Sequence, residues 1–315
     1  MINQKKLTIV VPAYNEEPVI EKTTTVLTNI LKKLINENQI SANSTLLYVD
    51  DGSKDRTWEM IGELHNGNSM ITGIKFAHNA GHQNALIAGI ETAQDSDYIV
   101  TIDADLQDSP EAIIEMVHQA NEGKDIVFGV RNNRDSDTWF KKNSAGLFYK
   151  IMGFLGVEEI PNHADFRLID KRVTKAFLQY PEREMYLRGI FPQLGFNQGE
   201  VYYARTERQA GESKYPLSKM LSLAIDGITS FSVKPIKMIR NVGLLVALIG
   251  LLYLAYSVVG KMMGHNITGW TSIVTSIWLL GGFQLIALGI VGEYIGRIFT
   301  EVKHRPRYFI EEKKL

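Results

Sequence analysis

The 315-residue chain is 45% hydrophobic, carries a formal net charge of −1 and contains no cysteine. That balance lacks the basic footprint of a nucleic-acid binder, and without thiols there are neither disulfides nor thiolate metal sites. The length fits one large α/β domain plus an appendage, and the opening Met1-Ile2-Asn3-Gln4-Lys5-Lys6 lacks the apolar core of a signal peptide.

Leu7-Thr8-Ile9-Val10-Val11 reads as a short apolar strand, closed by Pro12 and followed by Ala13-Tyr14-Asn15-Glu16-Glu17. Residues 18–36 space Val19, Ile20, Val26, Leu27, Ile30, Leu31 and Leu34 as an amphipathic helix does. Residues 46–49 form a second strand, which ends in Asp50-Asp51-Gly52-Ser53; Asp55 then caps a helix that runs to Leu64. Residues 71–76 are a third strand, and Asn79 to Asn84 open a helix containing Leu86, Ile87 and Ile90. His78 and His82 flank that helix start and read as capping or packing residues. A β-branched run, Tyr98-Ile99-Val100-Thr101-Ile102, ends in Asp103-Ala104-Asp105-Leu106-Gln107. A helix over 110–121 and a strand over 125–129 follow. Strands alternating with helices at this pace predict βαβ units and a mostly parallel sheet. The dinucleotide fingerprint and the P-loop motif are both absent.

Residues 131–142 are polar and read as a loop, and 144–153 as a helix. Residues 164–170 (Ala-Asp-Phe-Arg-Leu-Ile-Asp) make a compact polar–apolar segment; a helix is expected over 171–179 and a late strand over 201–203. Residues 205–215 form a basic loop. From Pro216 the character changes: Leu217, Met220, Leu221, Ala224, Ile225 and Ile228 lie at helical spacing among Ser, Lys and Asp, which fits an interfacial helix or a core-packed one. Residues 242–259 and 270–292 are two uncharged apolar runs, each long enough to cross a bilayer. Lys234, Lys237 and Arg240 precede the first, Arg297, Lys303, Arg305 and Arg307 follow the second, and the connecting loop offers only Lys261. The positive-inside rule then sets both ends, and the N-terminal domain with them, in the cytoplasm.

In a parallel sheet, ligands bind at the carboxyl ends of the strands. Asp103 and Asp105 therefore sit where a ligand is held, and two carboxylates this close repel unless a cation lies between them. Oxygen ligands of this kind suit Mg²⁺ or Mn²⁺ bridging to substrate phosphates. The alternative is a helix cap, and Asp108-Ser109-Pro110 has the form of a helix start. Glu16-Glu17 could pass for an acid/base pair, although Glu17 equally suits a helix N-terminus. Taken together, the strand ends carrying Pro12 to Glu17, Asp50 to Ser53 and Asp103 to Asp105 point to one edge, as in a nucleotide-binding cleft.

This ordered set resembles the inverting glycosyltransferases of the GT-A fold and, within them, the polyprenyl-phosphate glycosyltransferases, which include dolichol-phosphate mannose synthases and bacterial bactoprenol glucosyltransferases. The matching pieces are Val10 to Glu17, Asp50 to Asp55, Asp103 to Gln107 with Pro110, Ala164 to Arg167, Gly211 to Tyr215 and the closing Glu293-Tyr294-Ile295-Gly296-Arg297. The resemblance implies a Rossmann-like, mostly parallel α/β domain over 1–215, juxtamembrane helices over 216–240, two membrane spans over 241–300 and a cytoplasmic tail over 301–315, in a cytoplasmic membrane protein. It implies a donor site of Pro12, Tyr14, Asn15, Glu16, Asp50, Asp51, Asp103, Ala104, Asp105 and Arg131. Mg²⁺ or Mn²⁺ is expected on Asp103, Asp105 and Gln107. Asp105, Asp165 and Arg167 are expected at the reacting sugar, and Arg208, Ser213 and Lys214 at the phosphates; apart from the resemblance, Arg208 and Lys214 read as a solvated basic loop.

The implied reaction is metal-dependent transfer of a sugar, with inversion, from a nucleotide sugar, with UDP preferred, to a polyprenyl phosphate such as undecaprenyl phosphate. Asp165 stands either as base or as orienting group. Relatives in the bacterial branch can be oligomeric, so a homo-oligomer stays open. The Q-x-x-R-W motif of processive sugar polymerases is missing. A different class of reading is a membrane-anchored sugar-nucleotide sensor or flippase partner that keeps the fold without turnover.

Overall fold

The computed structural model describes residues 4–132, 163–183, 185–204, 234–263 and 269–315. The helix expected over 144–153, the juxtamembrane helices expected over 216–240 as far as residue 233, the basic loop 205–215 and most of the loop 131–142 lie outside the described residues.

Four parallel strands form the centre: β1 (Leu7–Ala13), β2 (Thr45–Asp50), β3 (Ile71–Phe76) and β4 (Tyr98–Thr101). The largely apolar runs of β1, β2 and β4 follow from burial on both faces, whereas β3, nearer the edge, leaves Thr72 and Lys75 half-buried. Along β1, Ile9 and Val11 face one layer of the core, where Tyr48, Val100 and Phe166 join them, while Val10 faces the other with Val49, Ile99 and Phe128. The first layer is covered by α1 (Ile20–Asn36), α2 (Thr57–Gly67) and α4 (Ala112–Asn121). The second is covered by α3 (His82–Thr92), α5 (Lys171–Phe177) and α6 (Leu187–Gln193). The α3 helix lies close on the sheet because Gly89 has no side chain: a Cβ there would stand 2.2 Å from Val10 Cγ1.

The full sheet has the order β7-β5-β6-β4-β1-β2-β3-β8. The segment 163–170, whose mixed polarity hides its nature, is a buried strand, β6 (His163–Asp170), antiparallel to both β4 and β5 (Ile126–Arg131). Asp165 and Arg167 are two residues apart and so share one face. They pair with each other inside the protein, which is what a charged pair needs to sit in a buried strand. β7 (Gln198–Tyr203) extends the sheet parallel to β5.

Two long helices follow, α7 (Lys234–Met262) and α8 (Trp270–Val302). Leu244, Leu248 and Leu252 on α7 and Leu285, Ile286 and Leu288 on α8 are exposed, an arrangement that water alone disfavours. Among the described residues one segment, Leu279–Val302, is long and apolar enough to cross a membrane, with mean hydropathy 1.5 and none of it buried. The sequence reading expects two such segments.

The stretch 301–315, set apart in the sequence as a tail, contains β8 (Ile310–Lys314), which pairs antiparallel with β3 and closes that edge of the sheet. The Tyr308 ring stacks on Phe76 with centroids 4.7 Å apart. Ala77 N–H donates to the Phe309 carbonyl at 2.9 Å, Trp58 Nε1 donates to Glu312 at 2.7 Å, and Lys75 pairs with Glu311 at 2.9 Å.

Candidate active site

A cleft of about 850 Å³ opens at the carboxyl edge of the parallel strands. It brings together Pro12, Tyr14, Glu16, Asp51, Asp103, Ala104, Asp105, Gln107, Arg131 and Asp165 from the residues expected in the sequence, and adds His82, Tyr186 and Arg188. Asn15, Asp50 and Arg167 do not line it. Arg208, Ser213 and Lys214 lie outside the described residues.

The walls are built from three loops tied to one another. Asn15, in the turn before α1, takes the left-handed region at φ 56°. Its N–H donates to Ser53 Oγ at 3.0 Å, and its Oδ1 accepts from Lys54 N–H at 2.8 Å. Glu16 N–H donates to Thr57 Oγ1, and Glu17 N–H to Asp55 Oδ2. The β1–α1 and β2–α2 turns therefore hold each other, with Asn15 as the staple between them. Asp50 is buried and accepts from Ser53 N–H at 2.9 Å, shaping the turn from below. Asp51 reaches the next loop, where its carboxylate accepts from Ala80 N–H at 2.6 Å and Gly81 N–H at 3.0 Å. Gly52 sits at φ +70°, and a Cβ there would lie 2.8 Å from the backbone of His78 and Asn79, so only glycine lets the loops approach this closely.

After β4 the chain turns sharply through the two carboxylates. Leu106 takes the left-handed φ of 53°, and Gln107 N–H folds back onto Asp105 Oδ1 at 3.1 Å. A branched side chain at positive φ is costly, and such strain collects at functional turns. Asp108, which reads in sequence as part of a helix start, is buried and grips Arg131 with both oxygens, at 2.8 and 3.0 Å. The pairing raises the Arg131 pKa against burial.

On the opposite wall stands a charge cluster centred on Asp165. Arg167 Nη2 donates to its Oδ1 at 2.7 Å, and Arg188 donates to its Oδ2 at 2.9 Å from Nη2 and 3.2 Å from Nε. Thr101 Oγ1 fixes the strand by donating to the Asp165 carbonyl, and Arg167 lies over the Phe191 ring at 4.7 Å. Burial alone would raise the Asp165 pKa, but the Arg188 charge, the His82 contact and Arg167 outweigh it and hold the carboxyl well below the usual range. His82 Nε2 lies between Asp103 Oδ1 at 3.5 Å and Asp165 Oδ2 at 3.6 Å. Burial works against its charge, yet the two carboxylates prevail and its pKa is raised. Asp103 goes the other way: burial raises its pKa, as do the charges of Asp165, Asp108 and Asp105, against His82.

The residues fit a divalent cation. Asp103 Oδ1 is inaccessible to water and makes no hydrogen bond among the described residues, which is costly for a carboxylate oxygen left bare. Asp165, Asp108 and Asp105 add negative charge around it and only His82, at 3.5 Å, opposes them, so a cation relieves both defects. No cluster of three or more His, Asp or Glu side chains that could enclose an ion occurs among the described residues. An ion here would complete its shell with substrate oxygens, as Mg²⁺ commonly does.

His82 and Arg188 are the residues missed in the sequence. The signal for His82 was available, since it stands at the carboxyl end of a parallel strand, the same edge that flags Asp51 and Asp103. Arg188 gives no local signal; its helix reaches the cleft only through the β6–α5–α6 path.

Residues 8–192 match the family model described as glycosyl transferase family 2. This chain is a family 2 glycosyltransferase. Residues 234–298, which hold most of α7 and α8, match a model described as the GtrB C-terminal hairpin. Over 310 residues the glycosyltransferase is 48% identical to a protein of Bacillus subtilis described as uncharacterized glycosyltransferase YkoT, covering 98% of this chain and 92% of that one. It is 36% identical over 313 residues to the bactoprenol glucosyl transferase of Shigella phage SfV, covering 98% and 99%. Among solved structures it is similar to glucosyl-3-phosphoglycerate synthase from Mycobacterium tuberculosis at 18% identity and a TM-score of 0.45, over 72% of this chain and 79% of that one; a likeness this loose carries no functional weight.

Proposed function

We propose that this glycosyltransferase moves a sugar from a nucleoside diphosphate, with UDP preferred, to a polyprenyl phosphate, inverting the anomeric configuration. The observation that carries the reading is the bare Asp103 oxygen beside Asp105 at the strand edge, facing a cleft whose other wall holds the ionised Asp165 and Arg188. The exposed apolar surface of α8 supports a lipid acceptor, as do the full-length relatives described as bactoprenol glucosyl transferases.

Pro12, Tyr14, Glu16 and Asp51 form the donor wall, where the Asp51 carboxylate suits a uracil N–H. Asp103 and Asp105, with Gln107, would hold Mg²⁺ or Mn²⁺, which supplies positive charge to the diphosphate as it departs. A phosphate oxygen of the lipid attacks the anomeric carbon, the bond from that carbon to the diphosphate oxygen breaks, and the nucleoside diphosphate leaves with the electron pair. A phosphate monoester has its second pKa near 6, so the acceptor arrives largely as a dianion and needs no strong base. Asp165, bound by two guanidiniums, holds too little affinity for a proton to serve as one. Its part is to orient Arg188 and His82.

We place α7 and α8 as two spans with both ends in the cytoplasm. Lys234, Lys237, Arg240, Lys303, Arg305 and Arg307 flank them on one side. The pairing of β8 with β3 supports this, because a chain that leaves α8 and joins the catalytic sheet must emerge on the side of that sheet.

The test is a transfer assay. Purified full-length protein in detergent receives undecaprenyl phosphate, Mn²⁺ or Mg²⁺ and labelled UDP- and GDP-sugars, with and without EDTA. Metal-dependent label in the lipid fraction is expected. Donor binding with no lipid product across the panel would overturn the proposal and favour a sensor or flippase partner.

A further inference from the structure

We infer that Arg188 is the residue that receives the phosphate of the membrane acceptor, and that the C-terminal end of α8 holds it in place. The inference rests on the lipid-phosphate reading above and names the acceptor side of that site.

Among the described residues Arg131 and Arg188 line the cleft and Arg167 lies behind Asp165; of the three, two are committed. The Arg167 side chain is 1% exposed, shut in against Asp165 and Phe191. Arg131 spends Nε and Nη2 on the two separate oxygens of Asp108, a two-pronged grip that fixes the plane of the guanidinium. Arg188 differs. Its side chain is 35% exposed, it lines the cleft, and both of its bonds go to the single oxygen Asp165 Oδ2. Nη1 has no hydrogen bond among the described residues. A guanidinium held from one side by a carboxylate, with an open edge toward the cleft, is preset to receive a second anion.

What that anion is follows from where Arg188 is anchored. The donor wall belongs to the β1–α1, β2–α2 and β3–α3 loops. Arg188 stands at the start of α6, and the chain just before α6 is moored to the end of α8. Arg183 N–H donates to both carboxylate oxygens of Glu301 at 2.9 Å. Arg307 Nη2 donates to the Tyr180 carbonyl at 3.3 Å and also to that of Glu182. Glu301 belongs to the last turn of the apolar helix, and Arg307 to the strap that leads into β8. The wall carrying Arg188 and Tyr186 is thus continuous with the apolar helix, and an anion arriving along that helix meets Arg188. A lipid phosphate arrives that way; a soluble nucleotide does not have to.

The experiment uses full-length protein in detergent with the donor that the wild type accepts. Acceptor KM, kcat and donor affinity (by nucleotide titration) are measured for wild type, Arg188→Gln, Arg188→Lys and Glu301→Gln. Arg188→Gln is expected to raise the acceptor KM by about tenfold or more, the loss of one charge-assisted hydrogen bond. Donor affinity should stay within about twofold, and intact donor binding also reports that the variant folds. Arg188→Lys should recover part of the loss, since it keeps the charge without the fork. Glu301→Gln, which leaves every side chain of the cleft in place, should raise the acceptor KM in the same direction with donor affinity unchanged. An unchanged acceptor KM in Arg188→Gln, or a donor affinity that falls by the same factor, would overturn the inference while leaving lipid transfer by the wild type standing. A wild type that makes no lipid product would instead overturn the functional reading itself.

Discussion

Replacing Arg167 by Met tests whether the charged pair inside β6 is a structural requirement. Arg167 and Asp165 are both almost fully buried and 2.7 Å apart. Arg167 Nη1 also donates to the Leu187 carbonyl at 3.2 Å, which links β6 to the start of α6. Removing one member of a buried pair costs about 3–5 kcal/mol, because the survivor keeps its desolvation penalty without its partner. Here Asp165 keeps Arg188, which is partly exposed, so the loss should fall near 3 kcal/mol, at the lower end of that range. In a domain of this size each kcal/mol moves Tm by about 2–4 °C, which gives a fall of about 6–12 °C in melting followed by intrinsic fluorescence. The double variant Asp165→Asn with Arg167→Met leaves no unpaired charge in the strand, and it should melt higher than the sum of the two single losses requires. A single-variant shift below about 2 °C, or strictly additive losses in the double variant, would refute the reasoning.

Asp103→Ala should lower lipid transfer by about 100-fold or more in the presence of Mn²⁺ while melting changes little, and near-normal turnover would remove Asp103 from the site. Gly52→Ala forces an L side chain to φ +70° and into the His78–Asn79 backbone, so it should cost at least about 1–2 kcal/mol in denaturant titration; an unchanged midpoint would show that the loops yield. The Asp165 carboxyl has a lower pKa folded than unfolded, so its stabilisation is complete above the unfolded value of about 4 and is lost as pH falls through the folded one. Melting of the wild type below about pH 4 should therefore fall more steeply than that of Asp165→Asn, and parallel curves would contradict the assignment. Deleting residues 303–315 should uncover the β3 edge and yield aggregates on gel filtration, where a monodisperse profile would show the edge to be harmless.

Much of the catalytic domain is legible in the sequence because parallel strands announce themselves. Leu7 to Val11, residues 46–49, 71–76 and 98–101 are mostly apolar, broken only by Thr8, Thr72, Lys75 and Thr101, and each leads into the polar residues that meet at the cleft. The parts that stay hidden do so for physical reasons. β6 carries Asp165 and Arg167 on its buried face, so its polarity mimics a loop; only the knowledge that the two neutralise each other reveals a strand. β8 reads Ile-Glu-Glu-Lys-Lys, a composition fit for a solvated tail, and it is a strand because an unpaired edge waits for it and because Trp58 and Lys75 take up its two glutamates. Arg188 reaches the cleft by tertiary folding alone. Asn15 and Asp50 show the converse: their position beside the motif points to the ligand, whereas their side chains are spent on the turns that shape it.

The order of the strands also sets an order of assembly. β3 is synthesised in the first quarter of the chain and its edge partner β8 comes after both long helices, so a nascent catalytic domain carries an open edge until both helices have been made. Closure of that edge, with Tyr308 settling on Phe76, comes as a final latch. A chain whose two long helices are misplaced cannot bring β8 home, and it keeps a bare strand edge open to pairing with other chains. Completion of the sheet thus depends on everything between β3 and β8 having been made and placed.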